Sequence, residues 1–157
     1  MKLRLACVGK LAESFTRDGV AEYAQRVKRY FPLQIDEHKE EKGGKKADPR
    51  YIRACEGTRL LAKIPSGATV VVLDENGRQQ RSTELADWME TQMSAGTGEI
   101  VWVIGGAYGL SDAVKARANL LLSLSAMTLP HQLVRLLLLE QLYRSLTIIR
   151  HEPYHNP

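Results

Sequence analysis

The segment 101–112, VWVIGGAYGLSD, joins an apolar run to three glycines that could bring the backbone close to a ligand. A dinucleotide site has the spacing G-x-G-x-x-G, with an acidic residue about 20 positions later. Here the glycines are Gly105, Gly106 and Gly109, and residues 123–125, where that acid would lie, are Ser-Leu-Ser. The segment also lacks the lysine of a phosphate-binding loop. The pattern disfavours a phosphate site and leaves two interpretations: backbone contact with a flat or neutral ligand, or a tight turn that needs positive φ.

A second candidate site is the segment 120–135, LLLSLSAMTLPHQLVR, which predicts a buried strand, a short loop and a helix that begins after proline. The small residues Ser125, Ala126 and Thr128 interrupt large apolar ones, so the loop would present backbone amides and carbonyls inside an apolar wall. Such a wall suits an adenine ring, which needs stacking and a few directed hydrogen bonds. His131 falls in the first helical turn, where it could pack or cap the helix or serve as a base.

The elements that must position these segments alternate between strand and helix. Period-two alternation or continuous apolar runs predict strands, and apolar stripes every three to four residues predict helices. The predicted strands are 2–9, 33–38, 69–74, 99–105 and 120–125, and the predicted helices are 14–30, 49–64, 82–96, 111–119 and 130–150. Strands that are apolar on both faces are typical of a mostly parallel sheet flanked by helices. We therefore predict a single α/β domain over residues 1–157.

Polar and glycine-containing segments predict the connections. The segment 39–49 has no apolar period and predicts a loop, and ENG at 75–77 predicts a turn. Ser82 and Ser111 are predicted to cap the helices that follow them, and Gly96 is predicted to end one.

Composition excludes several classes of protein. The 157 residues carry a formal net charge of +4 and a pI near 9.1, which fits contact with nucleic acid without being strong evidence for it. No run reaches the roughly 18 apolar residues of a transmembrane helix, and the N-terminus lacks the pattern of a signal peptide. We therefore expect a cytoplasmic protein with no membrane partner. Cys7 and Cys55 match no metal or redox spacing, which predicts buried free thiols and no metal site.

The predicted helix 130–150 is apolar on nearly all sides. A helix of this kind must be buried on more than one side, and the sheet can cover only one of them. A second subunit would cover another side in a chain of this size, so we predict a homodimer. The alternative is a helix wedged centrally in a monomer.

A basic segment runs from the end of the second strand into the second helix. Its cations are Lys39, Lys42, Lys45, Lys46, Arg50 and Arg53. These side chains could contact RNA phosphates, or they could form a charged loop in solvent.

Three segments in order, VIGGAYGL, LSAMTLPHQLVRLLLLEQLYRS and the terminal EPYH, resemble the ribosomal RNA large subunit methyltransferase H family. That family belongs to the SPOUT class of enzymes that use S-adenosylmethionine (SAM), and the resemblance runs from KLRLACVGK to the tail. It implies a SPOUT-type α/β knot, a trefoil in which the C-terminal segment threads through a loop. It also implies a homodimer that binds SAM in the knot and methylates N3 of pseudouridine 1915 in 23S rRNA, on the assembled ribosome.

The resemblance also places the site residues. The residues implied to bind SAM are Leu73, Gly105, Leu124, Ser125, Ala126, Met127, Thr128 and Leu129. N3 of the acceptor must lose a proton, so a base or a proton path to water is needed. Our hypothesis puts Tyr154 and His155, from the partner's tail, beside the acceptor base, where the aromatic ring can stack on the base and the histidine can accept a proton. Glu140 and Arg144 lie four residues apart on the last helix, and they form either an ion pair or part of the RNA site.

Two other functions remain open from the residues alone. One is a nucleotide-dependent oxidoreductase on a doubly wound sheet, which the glycine spacing and the missing ribose acid disfavour. The other is a non-enzymatic module that binds RNA or the ribosome. Such a module would bind ribosomes without any effect of SAM on its thermal stability.

Overall fold

A computed structural model describes residues 1–43 and 47–157 as alternating strands and helices. The elements are β1 (Lys2–Val8), α1 (Ser14–Lys28), β2 (Leu33–His38), α2 (Pro49–Ala62), β3 (Thr69–Gln79), α3 (Ser82–Ser94), β4 (Glu99–Ile104), α4 (Asp112–Arg117), β5 (Leu120–Ser123) and α5 (His131–Ile149). The strands form a five-stranded parallel sheet in the order β2-β1-β4-β3-β5. The predicted α/β class and parallel sheet are confirmed.

Helices cover both faces of the sheet because successive side chains of a strand point to opposite sides. On β1, Leu3, Leu5 and Cys7 pack into a core with α1, α3 and α5. Ala6 and Val8 of the same strand face a smaller core formed with α2 and α4. Both cores are buried, which explains why the central strands read as continuous apolar runs.

β3 is longer than the sequence predicts, and the turn expected at 75–77 is wrong. The strand continues along β5 to Gln79, past the end of its pairing with β4, after a register shift between Leu73 and Arg78. A side chain at Gly77 would put its Cβ 2.7 Å from the carbonyl oxygen of Leu121, so glycine permits this close approach of the two strands. Residues 75–77 therefore lie in an irregular part of the pairing between β3 and β5 and do not reverse the direction of the chain.

α5 lies on one face of the sheet between α1 and α3. Leu138, Leu139, Leu142 and Leu146 are fully buried there. Most apolar side chains of α5 are therefore covered within one chain, as expected for the alternative of a helix wedged centrally in a monomer. Leu137 remains 37% exposed and marks the outward side of the helix.

Two of the three predicted helix signals are confirmed. Ser111 accepts a hydrogen bond from Val114 N at 3.4 Å, and Gly96 adopts φ +75° just after α3. The prediction for Ser82 is wrong, because the cap position is residue 81 and its backbone NH is bound by the Glu84 carboxylate at 2.7 Å. The hydroxyl of Ser82 instead lies 2.7 Å from Gln141 on α5.

Both cysteines are free thiols. Cys7 is fully buried, and burial raises its pKa to about 12, whereas Cys55 is only half-buried. Within residues 1–43 and 47–157, no three His, Cys, Asp or Glu side chains gather as metal ligands. None of the described helices combines the length and hydropathy that a membrane crossing requires.

Candidate active site

A cavity of about 480 Å³ opens at the carboxyl ends of β3, β4 and β5. Its position follows from the topology, because open parallel sheets bind ligands outside the carboxyl ends of their strands. Seven of the eight residues predicted to bind cofactor line it, namely Leu73, Gly105, Leu124, Ser125, Met127, Thr128 and Leu129. Ala126 is exposed and is not part of the lining. Three segments far apart in sequence therefore share one cavity.

The glycine loop after β4 is a tight turn that also forms a wall of the cavity. Gly109 has φ +81°, and its NH donates to the carbonyl of Gly106 at 3.1 Å. A Cβ on Gly105 would lie 2.8 Å from the Leu110 side chain and 3.0 Å from the backbone of Gly109. The turn interpretation is thus confirmed for Gly109, and the folded-back loop itself excludes a side chain at Gly105.

The loop after β5 is held by its own side chains. The Ser123 hydroxyl donates to the carbonyl of Ser125 at 2.9 Å, and the Ser125 hydroxyl accepts from Met127 N at 3.0 Å. The Thr128 hydroxyl donates to a carboxylate oxygen of Glu75 at 3.0 Å. This last bond ties the loop to the extension of β3 across the cavity.

The rim of the cavity carries three carboxylates and two cations. Asp74 forms an ion pair with Lys115 at 3.0 Å. Burial alone would raise the pKa of Asp74, but the hydrogen bonds from Lys115 and from the backbone NH of residue 76 lower it overall. Glu75, Asp112 and Arg53 complete the charged lining. The arrangement can receive a ligand that carries both positive and negative groups.

His131 lines the same cavity from the first turn of α5. Burial lowers its pKa below the usual 6.5, so the imidazole is neutral at pH 7. The sequence left its role open between packing and catalysis, and the structure puts it in the cavity wall.

Arg135, one turn later on α5, is a residue that the sequence analysis missed. It is 1% exposed, pairs with Glu37 at 2.7 Å and donates to the carbonyl of Gly9 at 3.1 Å. The available signal was an arginine among leucines on an apolar helix, because a buried charge needs a partner. Arg135 ties the cavity end of α5 to β1 and β2.

The four predicted catalytic side chains form a second group, the tail cluster of Glu140, Arg144, Tyr154 and His155. Glu140 accepts from Arg144 at 2.6 Å and from the Tyr154 hydroxyl at 3.1 Å. Arg144 also contacts Nδ1 of His155 at 3.2 Å and lies 4.7 Å from the centroid of the Tyr154 ring. Burial and the neighbouring hydroxyl of Tyr23 raise the pKa of Tyr154.

The tail cluster and the cavity are separate within one chain. Val134 lines the cavity, and Glu140 and Arg144 follow six and ten residues later on the same helix, which at the helical rise corresponds to about 9 Å and about 15 Å. Neither Tyr154 nor His155 reaches the cavity of its own chain. The ion pair, which is one of the two interpretations of Glu140 and Arg144, is present, and it is part of the larger group.

The predicted basic segment divides between exposed and cavity-lining positions. Lys39, Lys42 and Arg50 are exposed. Arg53 lines the cavity and donates to the carbonyl of Tyr108 at 3.3 Å. Lys45 and Lys46 lie outside the described residues.

The sequence matches proteins of one family along its whole length. The profile of the family described as predicted SPOUT methyltransferases matches residues 1–155. A ribosomal RNA large subunit methyltransferase H of Syntrophotalea carbinolica is 54% identical over 156 residues, covering 99% of both chains. The protein of that name from Geotalea daltonii is 49% identical over 156 residues, covering 99% of this chain and 100% of its own.

Solved structures share the fold at low sequence identity. A Bordetella pertussis protein described as a methyltransferase aligns with a TM-score of 0.55 and 16% identity, covering 92% of this chain and 96% of its own. A Legionella pneumophila protein of the same description, solved with bound SAM, has a TM-score of 0.52 and 14% identity. That match covers 90% of this chain and 65% of the Legionella chain.

Proposed function

The chain belongs to the SPOUT methyltransferase family, as a member of its ribosomal RNA large subunit methyltransferase H group, and we propose that it methylates 23S rRNA with SAM. The acceptor is N3 of pseudouridine 1915 on the assembled ribosome. The observation that carries the proposal is the convergence of three segments on one cavity at the strand ends, in a chain 54% identical to a protein of that name. Family membership also argues against the oxidoreductase alternative.

The cavity fits SAM in size and chemistry. Its volume of about 480 Å³ lies within the range of small-molecule sites. Leu73, Leu124 and Leu129 would enclose the adenine, and the carboxylates of Asp74 and Glu75 would favour the positive charges of the methionine portion. When bound, SAM supplies an activated methyl group for in-line transfer, and the protein supplies placement.

We place the acceptor base between the cavity of one subunit and the tail cluster of its partner. The support is that neither Tyr154 nor His155 lines the cavity of its own chain, and that Glu140 and Arg144 lie about 9 Å and about 15 Å along α5 from its lining residue Val134. The outward side of α5, with Leu137 37% exposed, offers apolar surface for the second subunit. The homodimer and the trefoil knot implied by the family resemblance are part of this proposal.

The hydrogen bonds of the tail cluster suggest how it treats the acceptor. A guanidinium can only donate, so Nδ1 of His155 accepts from Arg144 and the ring N–H lies on Nε2. His155 would then donate to a carbonyl beside N3 and stabilise the negative charge that forms when N3 loses its proton to water. Tyr154, whose pKa is raised, stays protonated with its hydroxyl donating to Glu140, and its ring would stack on the base.

The test uses purified protein, radiolabelled SAM and ribosomes that contain the unmethylated pseudouridine, with free 23S rRNA in parallel. Label at N3 of that nucleotide in ribosomes, but not in free rRNA, is the expected result. A sample with the His155→Ala variant controls for transfer that does not depend on the tail. Intact ribosome binding without label would overturn the proposal and favour the binding module.

A further inference from the structure

The C-terminal tail reverses direction immediately after α5. His151 has φ +55°, a left-handed conformation that is uncommon outside glycine, and the NH of Glu152 donates to the carbonyl of Thr147 at 2.9 Å. The reversal returns the chain along α5. Tyr154 and His155 therefore contact residues that lie one to three helical turns before the end of α5. The tail has no helix or strand of its own, and its position therefore depends on side-chain contacts.

Two tyrosines of α1 and of the turn that follows it reach this tail. The hydroxyl of Tyr30 donates to a carboxylate oxygen of Glu152 at 2.5 Å. The hydroxyls of Tyr23 and Tyr154 are 3.4 Å apart. Burial and Glu152 raise the pKa of Tyr30 to about 12, so its hydroxyl is a donor throughout the neutral range.

Aromatic packing extends these contacts across α1 and α5. The ring of Tyr143 lies 4.6 Å from that of Tyr154, in an edge-to-face arrangement, and 6.2 Å and 6.3 Å from those of Tyr23 and Tyr30. The guanidinium of Arg26 lies 4.9 Å from the centroid of the Tyr23 ring. The tail therefore rests on a surface built from two helices.

We propose that Tyr23 and Tyr30 are positioning residues, which hold the tail so that the ring of Tyr154 and the imidazole of His155 face the acceptor base. The inference rests on the proposed function and extends it to α1, which carries none of the predicted site residues. Neither tyrosine lines the cavity, so they should act on the transfer step and leave cofactor affinity unchanged. Without the two contacts, the tail must be ordered again each time that RNA binds.

The experiment compares Tyr30→Phe, Tyr23→Phe and Glu152→Ala with the parent protein. Glu152 is exposed, so its variant removes the Tyr30 contact without disturbing a buried position. Thr91→Val is the matched control, because it removes one exposed hydroxyl hydrogen bond, to the carbonyl of Asp87 at 2.9 Å, on α3. The measurements are kcat and KM on ribosomes, the Kd for SAM by calorimetry, and hydrogen exchange of the tail amides.

We expect each test variant to lower kcat by about fivefold to tenfold, the usual effect of losing one hydrogen bond to a charged or polar partner. Tail amides should exchange faster by a similar factor, with the Kd for SAM unchanged and the control like the parent. The combination of Tyr30→Phe with Glu152→Ala should be no worse than either change alone, because both remove the same bond.

Unchanged tail exchange in all three variants would overturn the inference, as would faster exchange with unchanged kcat. An equal loss of SAM affinity and kcat would also overturn it, since it would indicate a general loss of structure. If the parent transfers no methyl group, the proposed function fails, and the exchange rates alone decide whether the tyrosines hold the tail.

Discussion

The cavity and the tail cluster use different kinds of chemistry. The cavity is built mainly from loop backbone and apolar side chains at the ends of three strands, and glycine at 105 is required because the loop folds on itself. The tail cluster is built from side chains alone, with Glu140 accepting from both Arg144 and Tyr154. A backbone site depends on the fold of the sheet, whereas a side-chain site depends on four particular residues.

The difference suggests a division of labour. Backbone groups held by a sheet are suited to binding a cofactor in one fixed pose. Side chains on a helix and an irregular tail can adjust to an RNA surface as it docks. Changes in the cavity should therefore affect SAM affinity, and changes in the tail cluster should affect transfer at constant SAM affinity.

The largest expected effect comes from mixing two inactive proteins. Gly105→Val should abolish SAM binding and His155→Ala should lower transfer by about a hundredfold or more. If each site combines the cavity of one subunit with the tail of the other, a heterodimer of the two variants has one intact site. Random exchange of subunits should then restore about a quarter of the parent activity in the labelled transfer assay.

The control for this mixture pairs each single variant with a protein that carries both substitutions. A heterodimer of that kind has no intact site and should stay inactive. Failure of the original mixture to recover, with subunit exchange verified, would mean that both halves of the site come from one chain.

A smaller change at the same glycine should separate binding from turnover. Gly105→Ala adds a Cβ that would meet Leu110 at 2.8 Å and the backbone of Gly109 at 3.0 Å, so the loop must shift. We expect the Kd for SAM to rise by about tenfold, with a smaller effect on kcat at saturating SAM. Gly98→Ala is the matched control, because a Cβ there meets nothing within 4 Å. Calorimetric titration that gives the same Kd for both variants would contradict the prediction.

The exposed part of the basic segment should affect RNA binding alone. Replacing Lys39 and Arg50, which are both exposed and do not line the cavity, with glutamine should weaken ribosome binding and make the slope of log affinity against log salt shallower by about one to two. Ribosome binding is measured between low and moderate salt. An unchanged salt slope would indicate that these two side chains do not contact phosphate.

The smallest expected effect is a pH dependence at the rim of the cavity. The pKa of Asp74 is lowered in the folded protein, so ionised Asp74 stabilises the fold above its unfolded pKa of about 3.8. That stabilisation is lost as the pH falls through the lower folded value. Asp74→Asn should reduce the free energy of unfolding by about 0.5 kcal/mol at pH 7 and by less at pH 3. Urea unfolding at both pH values would show it, and a constant difference would contradict it.

Local patterns predicted most of the fold. The alternation of strands and helices, the cap at Ser111 and the end of α3 near Gly96 all depend on neighbouring residues, and the structure confirms them. The missed extension of β3 beyond residue 74 has a long-range cause. Residues that usually form turns lie there in an irregularity, and Arg78 and Gln79 beyond them pair with β5, which lies more than 40 positions later in the chain.

The loops of the candidate site could be predicted from the sequence, but the long-range side-chain contacts that hold the site in place could not. Glycines and small polar residues after apolar strands mark the cavity, and the family resemblance added Leu73 and the tail. No periodicity indicates that Arg135 is buried against Glu37, or that Tyr30 bonds Glu152. Those partners are 98 and 122 positions apart in the chain.

By itself, the sequence determined where most of the strands and helices form, because backbone preference and apolar period act over a few residues. It also determined that two loops at strand ends, after β4 and after β5, would be rich in glycine and small residues. Only the tertiary structure decided that α5 lies between α1 and α3, and that the tail returns along α5 to Glu140 and Arg144. An apolar stripe specifies that a helix face is buried but not which element covers it, so these pairings are set by the packing of the whole chain.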